Sequence, residues 1–325
     1  MNISASGRIA DFSLMDPVTQ SDPFDFYAAL HEDCPVYCMP ETGFYLVSRY
    51  DDLRQVLKDT ETFSNDVNVK HGKGLQGDLG ILYEEIIAER GWAHVQTLQR
   101  TDPPVHSRYR KLLDRVFTVK RVRDMAPYVD DVAHELIDGW IDQGHCEFNA
   151  QFAMPLPGII IAEQLGLGRK DIKTFKRWSD ALISLAIRRM TEEEIRETAE
   201  TELEMQHFLH DVFEDRRKTP TGDLISALVH AHGDDEEPLS LHELQNVMHQ
   251  LISGGFETTQ SAIAHGMWLL LRYPETMQRL RDDPGLIKRF CEEALRFESP
   301  VQGLARMTTR DVELADTHIP KGSMV

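Results

Sequence analysis

The sequence predicts a mainly α fold with small β-sheets near both ends, on three observations. Apolar residues recur at helical spacing through most of the chain. Alternating, strand-like stretches are confined to residues 36–47 and 312–322. Proline and acidic or hydroxyl residues stand where the helical patterns begin. The 325 residues, 41% hydrophobic and 27% charged, suffice for one large core. A single domain over 1–325 is therefore expected.

In chain order, Asp22-Pro23 reads as a cap and first-turn proline for a helix over 24–33. Residues 36–38 and 43–47 read as a β-hairpin. A glycine-rich, irregular segment follows from 64 to 101, with a helix near 82–90. A loop this long in a compact domain is usually functional. Helices are then expected over 104–117, 122–143, 151–167, 169–189, 192–217 and 223–232. The longest pattern spans 240–273, and Asp283-Pro284 introduces a further helix ending near Phe297 before Pro300. Val312–Ala315 and 317–322 read as short strands joined by a turn.

Composition excludes several function classes. The net charge of −19, from 54 acidic and 35 basic side chains, disfavours a polyanionic nucleic-acid partner. No apolar run is long enough to span a bilayer, and the first fifteen residues do not read as a signal peptide. Cys34, Cys38, Cys146 and Cys291 show no framework spacing, so reduced thiols and a cytoplasmic location are expected.

Three segments carry candidate chemistry. In the longest helix, Gly254-Gly255-Phe256-Glu257-Thr258 places two glycines where each costs about 1 kcal/mol relative to alanine. Two readings fit them: a close approach by a flat ligand, with a kink or bulge, or a glycine-packed helix crossing. Glu257 and Thr258 beside them can hold water and relay a proton. In Asp102-Pro103-Pro104-Val105-His106-Ser107-Arg108-Tyr109-Arg110, His106 and Arg110 share a helix face. Such a pair either grips a carboxylate or is an ordinary surface feature. Glu293 and Arg296 share another face, and Arg306 follows in a strand-like stretch.

The order of these segments resembles the cytochrome P-450 family of haem-thiolate monooxygenases, in its soluble bacterial form, over nearly the whole chain. The resemblance implies a P-450-like fold, haem b, dioxygen and a small apolar substrate. It also implies NAD(P)H electrons passed through a redox partner. Gly254, Gly255, Glu257 and Thr258 match the oxygen-binding groove, where Thr258 holds dioxygen or its water and Glu257 helps deliver protons. His106, Arg110 and Arg306 match the residues that hold the haem propionates, and Glu293 and Arg296 the structural Glu-x-x-Arg pair. Segments 64–101, 181–187 and 301–304 match the variable regions that line the substrate pocket. Between His106 and Arg123, seven basic residues (Arg108, Arg110, Lys111, Arg115, Lys120, Arg121, Arg123) face only Asp114. That excess reads as a solvated face or as a docking patch for an acidic carrier such as a ferredoxin.

The chain departs from the family in one respect. A glycine-flanked cysteine loop, the source of the axial ligand, is missing, and that ligand is expected beyond Val325. The fold is thus expected to lack its C-terminal part, leaving this chain inactive alone. A buried Glu293–Arg296 pair without its downstream partner would then cost about 3–5 kcal/mol. The alternative expectation is a haem-free scaffold or activator with the same fold.

Overall fold

Proline and side-chain caps set many of the helix starts. The computed structural model describes residues 8–67, 76–166, 168–169, 172–232 and 237–325. The structure is 66% helical with small sheets, as the patterning predicts. Two compact units are present, one of Met1–Asn68, Leu98–Ser107 and Gly303–Val325, the other of Val69–Thr97 and Arg108–Gln302.

The first unit holds α1 (Pro17–Ser21), α2 (Phe24–Asp33), β1 (Val36–Cys38), β2 (Tyr45–Val47), α3 (Tyr50–Lys58) and β3 (Phe63–Ser64). β4 (Met307–Thr308), β5 (Val312–Leu314) and β6 (Thr317–Ile319) complete it. The expected hairpins form, antiparallel, with Val36 opposite Val47 and Val312 opposite Ile319. The expected cap of α2 does not: Pro23 occupies that position without a side-chain bond, and the Asp22 N–H instead closes α1 on the Val18 carbonyl. The true acidic cap is Asp16, which accepts from Val18 N ahead of Pro17. Ile9, Phe26, Ala29, Leu30, Tyr37 and Met39 form one buried cluster. Val36, Val56, Phe63, Leu314 and Ile319 form another.

The second unit carries α4 (Asp78–Arg90), most of α5 (Val105–Val116), α6 (Val119–Asp138), α7 (Pro155–Gln164) and α8 (Ile172–Ile187). After these come α9 (Glu192–Lys218), α10 (Leu224–Val229), α11 (Leu241–Arg272), α12 (Pro274–Asp282) and α13 (Ile287–Phe297). Capping boxes open the two longest helices, Thr191 with Glu194 on α9 and Ser240 with Glu243 on α11. α11, 32 residues long, spans about 48 Å and packs on α7, α8 and α13. The centre of the irregular segment, 68–75, and residues 170–171 of the expected 169–189 helix lie outside the described residues, as do the side chains of 186–187. No described helix is long and apolar enough to cross a membrane.

Candidate functional site

The adjacent glycines Gly254 and Gly255 of α11 divide the two readings between them. A Cβ on Gly255 would lie 3.2 Å from Ile161 Cδ1 of α7, so this glycine serves the helix crossing. A Cβ on Gly254 would meet nothing within 4 Å, so this glycine leaves a free face on the helix. No bulge interrupts α11, which is α-helical throughout from Leu241 to Arg272. Thr258 Oγ1 donates back to the Gly254 carbonyl at 2.5 Å, a side-chain bond one turn earlier on the same helix. The free face and the hydroxyl thus meet at one carbonyl. Beside them, burial and the Asp180 carboxylate of α8 raise the Glu257 carboxyl above its usual range, and Lys176 only partly opposes them. Glu257 therefore keeps its proton to higher pH than an exposed glutamate.

His106 and Arg110 do fall one turn apart on α5. They grip no common carboxylate. Arg110 is exposed and pairs with Asp114 at 3.1 Å, whereas the His106 ring makes no hydrogen bond among the described residues. The strong anchor of α5 is one that sequence reasoning passed over. Glu243 of α11 accepts from Arg108 at 2.7 Å, from Tyr109 Oη at 2.8 Å and from Ser240 N at 2.8 Å. Although burial opposes ionisation, these donors hold its carboxyl down at about 2. Burial and the Glu243 carboxylate push the Tyr109 phenol up to about 12.

In the first unit, Arg306 bonds its backbone to Val325 in both directions just before β4. Its Nη1 donates to the Ala305 carbonyl, but its Nε is buried without a partner among the described residues. Burial lowers its pKa, and the nearby Asp102 carboxylate opposes that shift. Asp102 is itself held by Ser64 and by Asn65, whose backbone N and Nδ2 donate at 2.9 and 3.0 Å. The buried Nε of a cation beside a carboxylate already occupied by other donors suits an incoming anionic group.

Glu293 and Arg296 form a bidentate pair, both contacts at 2.7 Å. Their side chains remain 62% and 66% exposed, so the penalty expected for a buried, incomplete pair does not arise. The basic stretch after His106 is also largely engaged. Lys120 pairs with Asp124 at 2.5 Å, while Arg115 and Arg121 donate to the carbonyls of His232 and Gly222.

With this geometry in hand, comparison with known proteins is decisive. The cytochrome P-450 family pattern matches residues 168–284 and 285–325. 6-Deoxyerythronolide B hydroxylase of Saccharopolyspora erythraea is 32% identical over 316 residues, covering 95% of this chain and 76% of that protein. The chain belongs to the cytochrome P-450 family. Mycinamicin IV hydroxylase/epoxidase of Micromonospora griseorubida is 35% identical over 305 residues, 92% of this chain and 72% of that protein. Among solved structures, a cytochrome P-450 from Chondromyces apiculatus superposes with a TM-score of 0.81 at 31% identity, covering 98% of this chain and 76% of that one. Cytochrome P-450 CREJ in complex with (4-ethylphenyl) dihydrogen phosphate gives 0.84 at 25% identity, covering 94% and 75%.

As a cytochrome P-450, the protein is by resemblance a haem monooxygenase that uses dioxygen, an organic substrate and electrons from a redox partner. Its residues fit a haem in two respects. The helix face at Gly254 is open, and Arg306 Nε and the His106 ring, without hydrogen-bond partners among the described residues, are donors suited to carboxylates. His106 and Arg306 belong to the first unit, while Arg110 and α11 belong to the second.

Proposed function

We propose that this cytochrome P-450 is a haem b monooxygenase that inserts one atom of dioxygen into a small apolar organic substrate. It would act in the cytoplasm, with NAD(P)H electrons arriving through a ferredoxin-type carrier. The observation that carries the reading is the Thr258 hydroxyl seated on the Gly254 carbonyl beside an open helix face. When bound, haem supplies the activation of dioxygen, and the protein supplies the rest. Gly254 leaves room for the ring, and the Thr258 hydroxyl holds a proton at that spot. Glu257, whose carboxyl burial and Asp180 raise above its usual range, would replenish it. His106, Arg110 and Arg306 are assigned to the two propionates by the family pattern, and Glu293 and Arg296 to a supporting role.

The names of the relatives, a hydroxylase of 6-deoxyerythronolide B and a hydroxylase/epoxidase of mycinamicin IV, support oxygen insertion into an organic molecule. The axial thiolate is the one part not assigned. Cys34 donates to the Val36 carbonyl, Cys38 and Cys291 are exposed, and Cys146 is half-buried after α6. The second reading is a haem-free scaffold or activator of the same fold.

One spectrum separates the two readings. Purified protein supplied with haem, then reduced under carbon monoxide, is expected to show the shifted Soret band of a thiolate-ligated haem whenever the polypeptide carries the axial cysteine. The His106→Ala/Arg110→Ala double variant should retain severalfold less haem. A polypeptide that carries that cysteine and binds no haem would leave the scaffold reading.

The carrier assignment has its own check. Arg123, exposed on α6, lies in the basic stretch. Arg123→Glu is expected to lower kcat/KM for the reduced carrier by about tenfold at low salt, and much less at high salt. An effect independent of ionic strength would remove this face from the docking site.

A further inference from the structure

Away from α11's glycines, the second unit gathers two imidazoles and a buried carboxylate from three separate elements. His94 lies in the extended stretch after α4, Glu202 on α9 and His249 on α11. One ligand atom from each lies within 4.8 Å of the others. The Glu202 side chain is 1% exposed, yet among the described residues neither lysine nor arginine pairs with it. Its neighbours are His94 Nε2 at 2.5 Å and Gln206 Nε2 at 2.9 Å on Oε1, with Tyr83 Oη on Oε2. Burial without a fixed cation raises its carboxyl to about 8. The buried carboxylate thus faces two imidazoles, with no lysine or arginine beside it among the described residues, and the three converge on one spot.

The setting is built rather than incidental. The backbone carrying His94 is fixed on both sides. Gln206 binds Trp92 through both N and O, and Gln250 of α11 donates to Thr97 Oγ1 at 2.5 Å. Gly91 lets this stretch lie against α9, since a Cβ there would come within 2.4 Å of Gln206 Oε1. The His94 ring stacks on Tyr83 and meets His249 edge to face at 5.9 Å. Its Nδ1 lies 2.9 Å from Glu84 Oε2, so a proton held there leaves the Nε2 lone pair pointing toward Glu202. A carboxylate behind an imidazole is the outer-shell partner that orients and strengthens a metal-ligating histidine.

We propose that His94, Glu202 and His249 form a binding site for one divalent transition-metal ion of the zinc class. Two imidazoles and one carboxylate are the ligand set that zinc accepts with a fourth position left for water. In a tetrahedral zinc shell the ligand atoms stand about 3.4 Å apart, so side-chain rotations would open the 2.5 Å His94–Glu202 contact and bring the wider spacings, all within 4.8 Å, to that value. The ion displaces the proton that Glu202 and His94 share, and that proton leaves to solvent. It ties the His94 stretch to α9 and α11, the two longest helices of the unit, and takes no part in the haem chemistry. Its bearing is on the stability and closure of that stretch.

The test titrates the 325-residue protein with Zn2+ and, as a visible-band probe, with Co2+. One ion per chain is expected, with a rise in the unfolding temperature that grows with metal concentration. His249→Ala, His94→Ala and Glu202→Gln should each weaken binding by at least about tenfold and remove the thermal shift. His318→Ala, whose exposed ring pairs only with Glu313, should do neither. Should the alanine variants not fold, X-ray absorption of the zinc-loaded wild type decides, with two imidazoles and oxygen expected at about 2.0–2.1 Å. Absence of stoichiometric binding, retained affinity in the folded variants, or a sulfur-containing shell would each overturn the proposal.

Discussion

Replacing Thr258 with alanine in the haem-loaded enzyme is expected to leave electron consumption largely intact while product formed per electron falls on the order of tenfold. The difference would appear as peroxide or water. The argument is local. Thr258 Oγ1 donates to the Gly254 carbonyl, one turn earlier, where a Cβ added at Gly254 would meet nothing within 4 Å. The hydroxyl is therefore held at the edge of the open face, able to give its own proton and accept another. Glu257, with its carboxyl raised by burial, would be the adjacent reservoir under the proposed function. Thr258→Ser keeps the hydroxyl and should recover most of the coupling, which separates proton handling from the loss of a methyl group. Unchanged product yield per electron in the alanine variant would remove Thr258 from its assigned role.

The largest effect on stability is expected at Glu243. Its carboxylate caps α11 at Ser240 and receives Arg108 and Tyr109 from α5, so one side chain joins two helices. Glu243→Ala removes the half of the capping box that accepts from Ser240 N, takes one acceptor from Arg108, 27% exposed, and leaves the buried Tyr109 hydroxyl without its Glu243 acceptor. The expected loss is about 3 kcal/mol, read as a lower urea midpoint at neutral pH. The pH dependence has a definite sign. The folded pKa of about 2 lies below the unfolded value near 4.3, so the stabilisation is complete above roughly pH 5 and fades as pH falls toward 2. Glu243→Gln should accordingly flatten the acid side of the stability profile. A variant within about 0.5 kcal/mol of wild type, with the same acid slope, would show that the network contributes little.

Helices with a wide apolar stripe and a capping box, such as α9 and α11, were legible in the sequence because both signals are local. α3 was not expected, and its physics explains why. It starts without a side-chain cap, and Val56 is its one buried residue, so the stripe is thin. α12 buries none of its residues and was missed for the same reason. Two-residue β3 and β4 carry no pattern at all until Phe63 finds Thr308.

The same division runs through the candidate site. Gly254 and Thr258 stand four apart, within reach of a sequence pattern. The sequence could not say which glycine packs and which stays open, because that depends on Ile161 of another helix. Glu243 meets Tyr109 across 134 positions, and Glu202 meets His94 across 108. No local spacing marks either pairing.

The pairing of β3 with β4 also sets a timetable. Phe63 lies opposite Thr308, Thr309 N donates to the Thr62 carbonyl and Tyr45 N to the Met324 carbonyl, so the first unit is stitched from stretches at opposite ends of the chain. During synthesis at about 5–20 residues per second, residue 63 waits on the order of 10–50 s for its partner strand to emerge. The second unit, whose sequence ends at Gln302, has by then left the ribosome almost entirely. Through that interval the edge of β3 stays uncovered, a template open to any passing strand. Nascent chains that stall before residue 308 are therefore the population most exposed to aggregation, and the first clients for a chaperone.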